Sequence, residues 1–277
     1  MENLVSKARN VMSLFNLRDK TAIVTGGGKG LGEAMSLALA GAGADVAIAG
    51  KTQANNERVA DEIIKMGRKS MPVEVEVRDE SRVVGMIETV VKEWGHLDIL
   101  INSAGYAEVR PITEFPLDLW EYIMDVNVKG TFLCSREAAK VMLTKGKGKI
   151  INISSLQGYA GRAGDPAYAA SKSAVNLMTM SMACEWASKG ICVNAIAPTW
   201  CWTDLTSPYL SITSFYEELQ QRIPAGHAGN REDLFGIVVF LASDASDFVN
   251  GAIIPVDGGA IASDGFPIVP DSSPAEK

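Results

Sequence analysis

The stretch that decides the fold is Thr21–Gly32, TAIVTGGGKGLG. A run of β-favouring residues leads into a glycine-rich turn, and the apolar positions of Leu31–Ala42 then repeat with helical period. Glycines at such a turn let the backbone approach a diphosphate group, and the start of the helix supplies free N–H groups and a positive dipole end. We therefore expect a dinucleotide site here. The alternative is a tight strand-to-helix turn that binds nothing.

Outward from this turn, short apolar runs alternate with segments of helical period. The predicted strands are Thr21–Thr25, Asp45–Ala49, Met71–Val77, Leu97–Asn102, Lys149–Ile153, Ile191–Ile196 and Ala252–Val256. The predicted helices are Leu31–Ala42, Asn55–Met66, Ser81–Trp94, a region from Pro116 to Lys145 that divides into one or two pieces, Pro166–Lys189 and Arg231–Leu241. This order predicts an α/β fold with a doubly wound, mostly parallel sheet and helices on both faces.

No linker rich in Pro, Gly or Ser interrupts residues 18–260, which favours a single domain over 18–262. Residues 1–17 are interpreted as an N-terminal arm and residues 263–277 as a C-terminal tail. The long segment 198–227 carries five aromatic residues and follows a strand end, so we interpret it as a substrate lid.

Composition excludes several classes of partner. The formal net charge is -7, from 33 acidic and 26 basic residues, and no basic run reverses it, so we expect no nucleic-acid binding. Four cysteines without a CxxC pair and only two histidines predict no metal site. The chain carries no membrane-length apolar stretch and no secretory signal, and we expect no membrane partner and a cytoplasmic location.

A second constellation lies in the second half of the chain. Tyr168 and Lys172 are spaced i, i+4 in a predicted helix and therefore lie on one face. Ser155 precedes Tyr168 by thirteen residues, at the carboxyl end of the fifth predicted strand, where ligands of doubly wound sheets bind. The three side chains are expected to converge on one ligand.

Two features together, the TGxxxGxG spacing of Thr25–Gly32 and the set Ser155, Tyr168 and Lys172, resemble the short-chain dehydrogenase/reductase family over about residues 18–262. The resemblance implies a Rossmann-type fold, an NAD(H) or NADP(H) cofactor and a homotetramer. It also implies a catalytic Ser-Tyr-Lys set with Asn127 as its fourth member. Apolar positions on the helix that follows Pro166 add to the expectation of an oligomer: Val175, Leu177, Met178 and Met182.

The resemblance further implies which residues hold the cofactor. They are Gly26, Gly28, Lys29, Gly30, Leu31 and Gly32 in the turn, Lys51, Glu76 and Val77 near the adenosine, Asn102, Ala104 and Gly105 along the sheet edge, and Tyr168, Lys172, Pro198 and Thr203 near the nicotinamide. Two departures from the family pattern stand out: Ser103 replaces the second Asn of an NNAG motif, and Thr199 replaces the Gly of a PGxxxT motif.

The choice between the two nicotinamide cofactors is a question of charge. The second strand ends in Gly50-Lys51, without the carboxylate that would bind free ribose hydroxyls and repel a 2′-phosphate. Lys29 and Lys51 supply two cations, which favours NADP(H) over NAD(H). The alternative is that both lysines are merely solvated.

The residue types of the predicted catalytic set suit the reduction of a ketone and the reverse reaction, the oxidation of a secondary alcohol. The cofactor provides the hydride, and Tyr168 exchanges the proton with the alcohol oxygen. Lys172 is expected to lower the pKa of the phenol, Ser155 to donate to the carbonyl oxygen, and Asn127 to hold a water. The sequence thus predicts an oxidoreductase acting on a ketone or secondary alcohol.

Two segments, SLFNLRDKTAIVTGG at 13–27 and RIPAGHAGNREDL at 222–234, most resemble family members that act on sugars, sugar acids or polyols. Arg162 and Arg222 are candidate substrate anchors. The alternatives are a 3-oxoacyl-thioester reductase and, from another class, a non-catalytic dinucleotide sensor.

Overall fold

A computed structural model describes residues 4–263 of the 277-residue chain. Its seven strands form one sheet. They are β1 Thr21–Thr25, β2 Asp45–Gly50, β3 Ser70–Glu74, β4 Ile99–Asn102, β5 Gly148–Ile153, β6 Ile191–Pro198 and β7 Ile253–Val256. The α-helices are α1 Leu4–Arg9, α2 Gly30–Gly41, α3 Gln53–Lys65, α4 Glu80–Trp94, α5 Leu117–Met124, α6 Gly130–Lys145, α7 Pro166–Trp186, α8 Ser207–Leu210, α9 Thr213–Arg222 and α10 Phe235–Ala242.

The strand order is β3-β2-β1-β4-β5-β6-β7, and every neighbouring pair is parallel. The chain winds outward from β1 in one direction and from β4 in the other, so the order reverses between these two strands. Their last residues, Thr25 and Asn102, lie opposite each other in the register. In open α/β sheets ligands bind where the strand order reverses. The doubly wound fold predicted from the sequence is confirmed.

Successive residues of the buried strands point to opposite faces, and each face has its own core. Ile23 of β1 packs in the core that contains Met86 of α4 and Met142 of α6. Its neighbour Val24 packs in the other core, with Leu39 of α2. Helices therefore cover both faces of the sheet, which explains the almost continuous apolar strands.

Several element boundaries differ from those predicted. β3 ends at Glu74 and not at Val77, because the chain turns there and the Asp79 side chain accepts hydrogen bonds from the backbone N–H groups of Ser81 and Arg82 at the start of α4. β6 runs two residues past the predicted end, to Pro198. The region after Pro116 is α5 and α6 joined by a π-helical segment, Asp125–Lys129.

The ends of the predicted domain are also visible in part. Leu17 is fully buried and its N–H donates to the carbonyl oxygen of Ala42, and two short helical segments precede it, Leu4–Arg9 and Val11–Phe15. Most of the predicted tail, 264–277, lies outside the described residues. Within 4–263, no helix is both long and apolar enough to cross a membrane.

The candidate active site

The glycine turn lies at the carboxyl end of β1 and is packed so tightly that side chains do not fit. Gly26 has a φ of +65°, and a Cβ on it would lie 2.9 Å from the Cα of Ala104. A Cβ on Gly32 would lie 2.2 Å from the carbonyl oxygen of Gly26. Across the turn, a Cβ on Gly30 would lie 3.8 Å from Thr203. The turn, the end of β4 and Thr203 therefore enclose one crevice, into which α2 points its N-terminus.

Two residues that the sequence did not single out support this turn from α3. The amide nitrogen of Asn56 donates to the carbonyl oxygens of Gly50 and Val73, at 2.9 and 3.1 Å. Arg58 donates to the carbonyl oxygen of Gly28 at 3.1 Å and forms an ion pair with Glu33 of α2 at 2.9 Å. Isolated polar residues in a predicted helix carry no sequence signal for such a role.

The segment that follows β4 brings small residues to the crevice. The hydroxyl of Thr25 accepts hydrogen bonds from the backbone N–H groups of Ser103 and Ala104, at 3.2 and 3.3 Å. The Asn102 side chain does not face the crevice: its amide nitrogen donates to Ser135 and Asn152 inside the protein. The side chain of Asn102 thus braces the sheet from inside the protein.

A charged cluster lies at the end of β2. Lys51 Nζ is 3.1 Å from a carboxylate oxygen of Glu76, and Arg78 is 2.9 Å from the same oxygen. The Arg78 guanidinium also stacks on the Tyr122 ring, 4.5 Å from its centroid. Burial would raise the pKa of Glu76, but the two cations outweigh it and lower that pKa to about 2.

Two of the residues predicted to hold the cofactor make contacts within the protein. Glu76 uses its carboxylate on Lys51 and Arg78, and Val77 is buried beneath Gly130, where a Cβ on the glycine would lie 2.7 Å from Val77. Lys29 is exposed and has no ion pair among residues 4–263.

The four predicted catalytic residues come together at the ends of β4 and β5. Ser155 lies close enough to Tyr168 for its hydroxyl to lower the pKa of the phenol. The Lys172 ammonium, which is buried, donates to the carbonyl oxygen of Ile153 at 2.7 Å and lies 5.4 Å from the centroid of the Tyr168 ring. All three side chains therefore face the same strand ends.

Asn127 lies in the π-helical segment, a type of distortion frequent at functional sites. It donates to the carbonyl oxygen of Tyr106 at 3.0 Å and to the Ser171 hydroxyl at 2.9 Å, and it accepts from the Tyr106 N–H at 2.8 Å. A Cβ on Gly105 would lie 3.6 Å from the side-chain amide oxygen of Asn127 and 3.9 Å from Lys172 Nζ. Gly105 therefore keeps open the space between these two groups.

The expected lowering of the tyrosine pKa is absent from the protein alone. Burial raises the pKa of Tyr168 to about 12, against the opposing effect of the Ser155 hydrogen bond. Burial also lowers the pKa of Lys172 to about 8. The lowering of the Tyr168 pKa by Lys172 together with the positive nicotinamide ring stays a prediction for the cofactor complex, because in the protein alone desolvation dominates both groups.

A cavity of about 640 Å³ opens on Ser155 and Tyr168. Its wall includes Arg162 and Asp165 from the loop before α7, and Trp200 and Arg222 from the predicted lid. Trp200 packs against Tyr209 and Phe215, with ring centroids 6.1 and 5.0 Å away. The aromatic residues of 198–227 thus pack largely on each other and form one wall of the cavity.

Comparison with known proteins agrees with this geometry. A family model described as "Enoyl-(Acyl carrier protein) reductase" matches residues 26–260. A curated relative, the 2-dehydro-3-deoxy-D-gluconate 5-dehydrogenase of Escherichia coli (strain K12), is 40% identical over 253 residues, which are 91% of this chain and 99% of the relative. A solved short-chain type dehydrogenase/reductase from Mycobacterium marinum is 36% identical, with a TM-score of 0.86 over 90% of this chain and 98% of that one.

The chain belongs to the short-chain dehydrogenase/reductase family. It is an oxidoreductase that transfers a hydride between a nicotinamide cofactor and a ketone or secondary alcohol on a small molecule. Another solved relative is described as a gluconate 5-dehydrogenase from Burkholderia cenocepacia J2315 in complex with NADP and tartrate. It is 35% identical to this short-chain dehydrogenase/reductase, with a TM-score of 0.88 over 91% of this chain and 99% of that one.

The crevice of this short-chain dehydrogenase/reductase fits a dinucleotide. The bare backbone of Gly26–Gly32 and the N-terminus of α2 suit a diphosphate, and Ala104 and Gly105 leave room along the sheet edge. The Thr199 hydroxyl, just past β6, is buried and has no hydrogen-bond partner among residues 4–263. A buried hydroxyl without a partner is costly, so a ligand group that pairs with it would be stabilised there.

Proposed function

We propose that the protein interconverts a hydroxyl and a ketone on a sugar acid and uses NADP(H) in preference to NAD(H). The observation that carries the substrate class is the cavity beside Ser155 and Tyr168, since its wall includes the guanidinium groups of Arg162 and Arg222. Guanidinium groups bind carboxylates in a planar, two-pronged geometry. The names of the relatives, 2-dehydro-3-deoxy-D-gluconate 5-dehydrogenase and gluconate 5-dehydrogenase, support the same class.

The preference for NADP(H) rests on charge at the end of β2. Lys51 follows Gly50 there, and no carboxylate of β2 itself occupies the place where free ribose hydroxyls would be bound. The exposed ammonium of Lys29 adds a second cation next to the glycine turn. The NADP complex of the Burkholderia cenocepacia relative supports this choice.

In the proposed reaction a bound nicotinamide cofactor would supply or accept the hydride at the reacting carbon. During alcohol oxidation Tyr168, as phenolate, takes the hydroxyl proton, and during ketone reduction it returns that proton to the oxygen. Ser155 donates a hydrogen bond to the same oxygen and holds it beside the phenol. The pKa of Tyr168 is about 12 in the protein alone, so the positive charges of Lys172 and of the oxidised nicotinamide are needed to stabilise the phenolate.

Lys172 is proposed to exchange protons with solvent through a water held at Asn127. Support comes from the open space at Gly105, which borders both side chains. The remaining predicted cofactor residues, from Gly28 and Leu31 to Pro198 and Thr203, are proposed to line the crevice.

We also propose a cytoplasmic homotetramer. Of the apolar residues noted on α7, Val175 and Met182 are buried within the subunit, whereas Leu177 is 69% exposed. Exposed apolar side chains also occur on α5 and α6, at Leu117 and Phe132. Three neighbouring helices with uncovered apolar side chains favour contacts between subunits. Light scattering at micromolar concentration should give four times the subunit mass, and a monomer mass would reject this assembly.

The test of function is a substrate panel followed by absorbance of the reduced cofactor. Sugar acids, neutral polyols, simple secondary alcohols and a 3-oxoacyl thioester are each assayed with NADP(H) and NAD(H). We expect the highest kcat/KM for a sugar acid with NADP(H). The variant Tyr168→Phe, which keeps the ring, should lose roughly 10²–10⁴-fold in turnover.

Three results would overturn the proposal. A higher kcat/KM for the thioester would favour the 3-oxoacyl reductase, and equal or better use of NAD(H) would reject the cofactor preference. Cofactor binding without turnover of any compound would favour a dinucleotide sensor.

A further inference from the structure

Arg162 differs from the other arginine of the cavity in having no counter-charge in contact with it. It lies in the loop between Ser155 and α7 and is half-buried. Among residues 4–263, no carboxylate oxygen lies within 4.0 Å of its guanidinium, and no side-chain hydrogen bond involves it. Arg222 is 75% exposed and forms an ion pair with Glu218 at 3.2 Å. The charge of Arg222 is thus already compensated and solvated.

Arg162 forms a cation–π contact with Trp200. The guanidinium carbon lies 5.1 Å from the centroid of the indole ring. Trp200 is itself held by edge-on contacts with Tyr209 and Phe215 of helices α8 and α9. A cation–π contact restrains the guanidinium without using its N–H groups as hydrogen-bond donors, so these stay available to a planar anion.

Arg162 also acts on the reacting end of the same cavity. Its positive charge lowers the pKa of Tyr168, in opposition to the stronger effect of burial, so the two groups are close enough to interact. Asp165, which also lines the cavity, is buried, and one of its carboxylate oxygens lacks a hydrogen-bond partner among the described residues. Burial raises the pKa of Asp165 and the charge of Arg162 lowers it, so the two groups interact electrostatically although no ion pair joins them among the described residues.

We infer that Arg162 is the specificity-determining residue of the cavity and binds the carboxylate of the substrate. The unpartnered oxygen of Asp165 accepts a hydrogen bond from one of the substrate hydroxyls. An unpaired guanidinium and an unpaired hydrogen-bond acceptor in one cavity match a polyhydroxy acid, which carries one carboxylate and several hydroxyl donors. This inference rests on the proposed function, since it names how the sugar acid is recognised.

The experiment compares an acid with its neutral analogue. The best sugar acid of the panel is paired with the compound that has CH₂OH in place of the carboxylate, as D-glucitol does for D-gluconate. Arg162→Gln should lower kcat/KM for the acid by roughly 10- to 100-fold, mainly through KM, because a hydrogen bond to a charged group is lost. kcat/KM for the neutral polyol should stay within about threefold when each variant is measured on the high-pH plateau of its own profile, where the effect of Arg162 on the pKa of Tyr168 no longer matters. The ratio of kcat/KM for the acid to kcat/KM for the polyol should therefore fall.

Three further variants separate the possible causes. Arg162→Lys keeps the charge but loses the two-pronged geometry and should recover only part of the ratio. Arg222→Gln tests Arg222 as the alternative carboxylate-binding residue and should leave the acid-to-polyol ratio of kcat/KM unchanged. Arg82→Gln removes an equal charge from exposed α4, away from the cavity, and is the control for net charge.

The inference is overturned if Arg162→Gln lowers kcat/KM equally for acid and polyol, or if only Arg222→Gln changes the ratio. Calorimetry with D-gluconate and D-glucitol, on wild type and Arg162→Gln, separates recognition from turnover. If the wild type oxidises no sugar acid but binds D-gluconate only with Arg162 present, the proposed function fails and the inference stands. If the wild type binds both compounds equally or binds neither, the inference fails.

Discussion

Replacing Glu76 by Gln should increase the preference for NADP(H) over NAD(H). Glu76 lies between Lys51 and Arg78 at the end of β2, where the 2′-phosphate of NADP(H) is expected. Its carboxylate opposes both cations and carries the same sign as the phosphate. Glu76→Gln keeps the size of the side chain and removes only the charge, so both cations become available to the phosphate.

The expected size of the effect follows from Coulomb's law. Two unit charges 4 Å apart interact by about 1 kcal/mol in water and by about 4 kcal/mol at an effective dielectric constant of 20. Lys51 is 57% exposed, so the value for water applies here. A phosphate carries about −1.5 to −2 charges, and the gain is about 1.5–2 kcal/mol, or roughly 10- to 30-fold in the NADP-to-NAD ratio of kcat/KM.

The same substitution should lower the stability of the fold. The folded-state pKa of Glu76 is about 2, below the ordinary value of 4.5. A carboxyl group with a depressed pKa stabilises the fold above its unfolded pKa, and this stabilisation is lost as the pH falls through the folded pKa. Since Glu76 is 25% exposed and Lys51 more so, we expect a loss of about 1–2 kcal/mol at pH 7. The loss should shrink as the pH falls from about 5 towards 2.

The assay is kcat/KM for NADP⁺ and NAD⁺ with one saturating alcohol substrate, together with urea unfolding at several pH values. Any contact of Glu76 with the adenine is common to both cofactors and cancels in the ratio. Glu62→Gln is the matched control, since it breaks an exposed ion pair with Lys65 on α3, away from the crevice. An unchanged or lower NADP-to-NAD ratio in Glu76→Gln would refute the electrostatic reasoning.

Three other predictions concern the crevice and the catalytic pair. Gly32→Ala should abolish dinucleotide binding or folding, because its Cβ would lie 2.2 Å from the Gly26 carbonyl oxygen, and circular dichroism with a cofactor titration distinguishes the two outcomes. Gly50→Asp should shift preference towards NAD(H), but its Cβ would lie 3.0 Å from the Asn56 side chain, so Gly50→Ala must be measured beside it to separate packing from charge. The rate of alcohol oxidation should rise with pH through one apparent ionisation well below 12, because the pKa of Tyr168 is about 12 only without the charged cofactor. An apparent pKa near 12 in the cofactor complex would show that the cofactor does not stabilise the phenolate.

Much of the fold follows from local sequence signals. Both ends of the predicted strand Thr21–Thr25 agree with the structure, because this short apolar run of β-favouring residues is bounded by Lys20 and by glycines. The end of β3 was predicted three residues too far, since Val75 and Val77 are apolar and buried without being in the strand. Periodicity reports burial, and it does not tell a strand from a buried turn.

The sequence by itself was enough to predict that Ser155, Tyr168 and Lys172 act together, because one strand end and one helix fix their spacing. Only the tertiary structure decided which charged side chains from different strands, helices and loops lie in contact. Lys51 pairs with Glu76 from the turn after β3, and Arg162 lines one cavity with Trp200 from the segment after β6. Tertiary packing also decided that burial raises the pKa of Tyr168, which its distance along the chain from Lys172 does not reveal. The physical reason is that electrostatic energies depend on distance and desolvation in three dimensions, and both are set by packing between segments far apart in the chain.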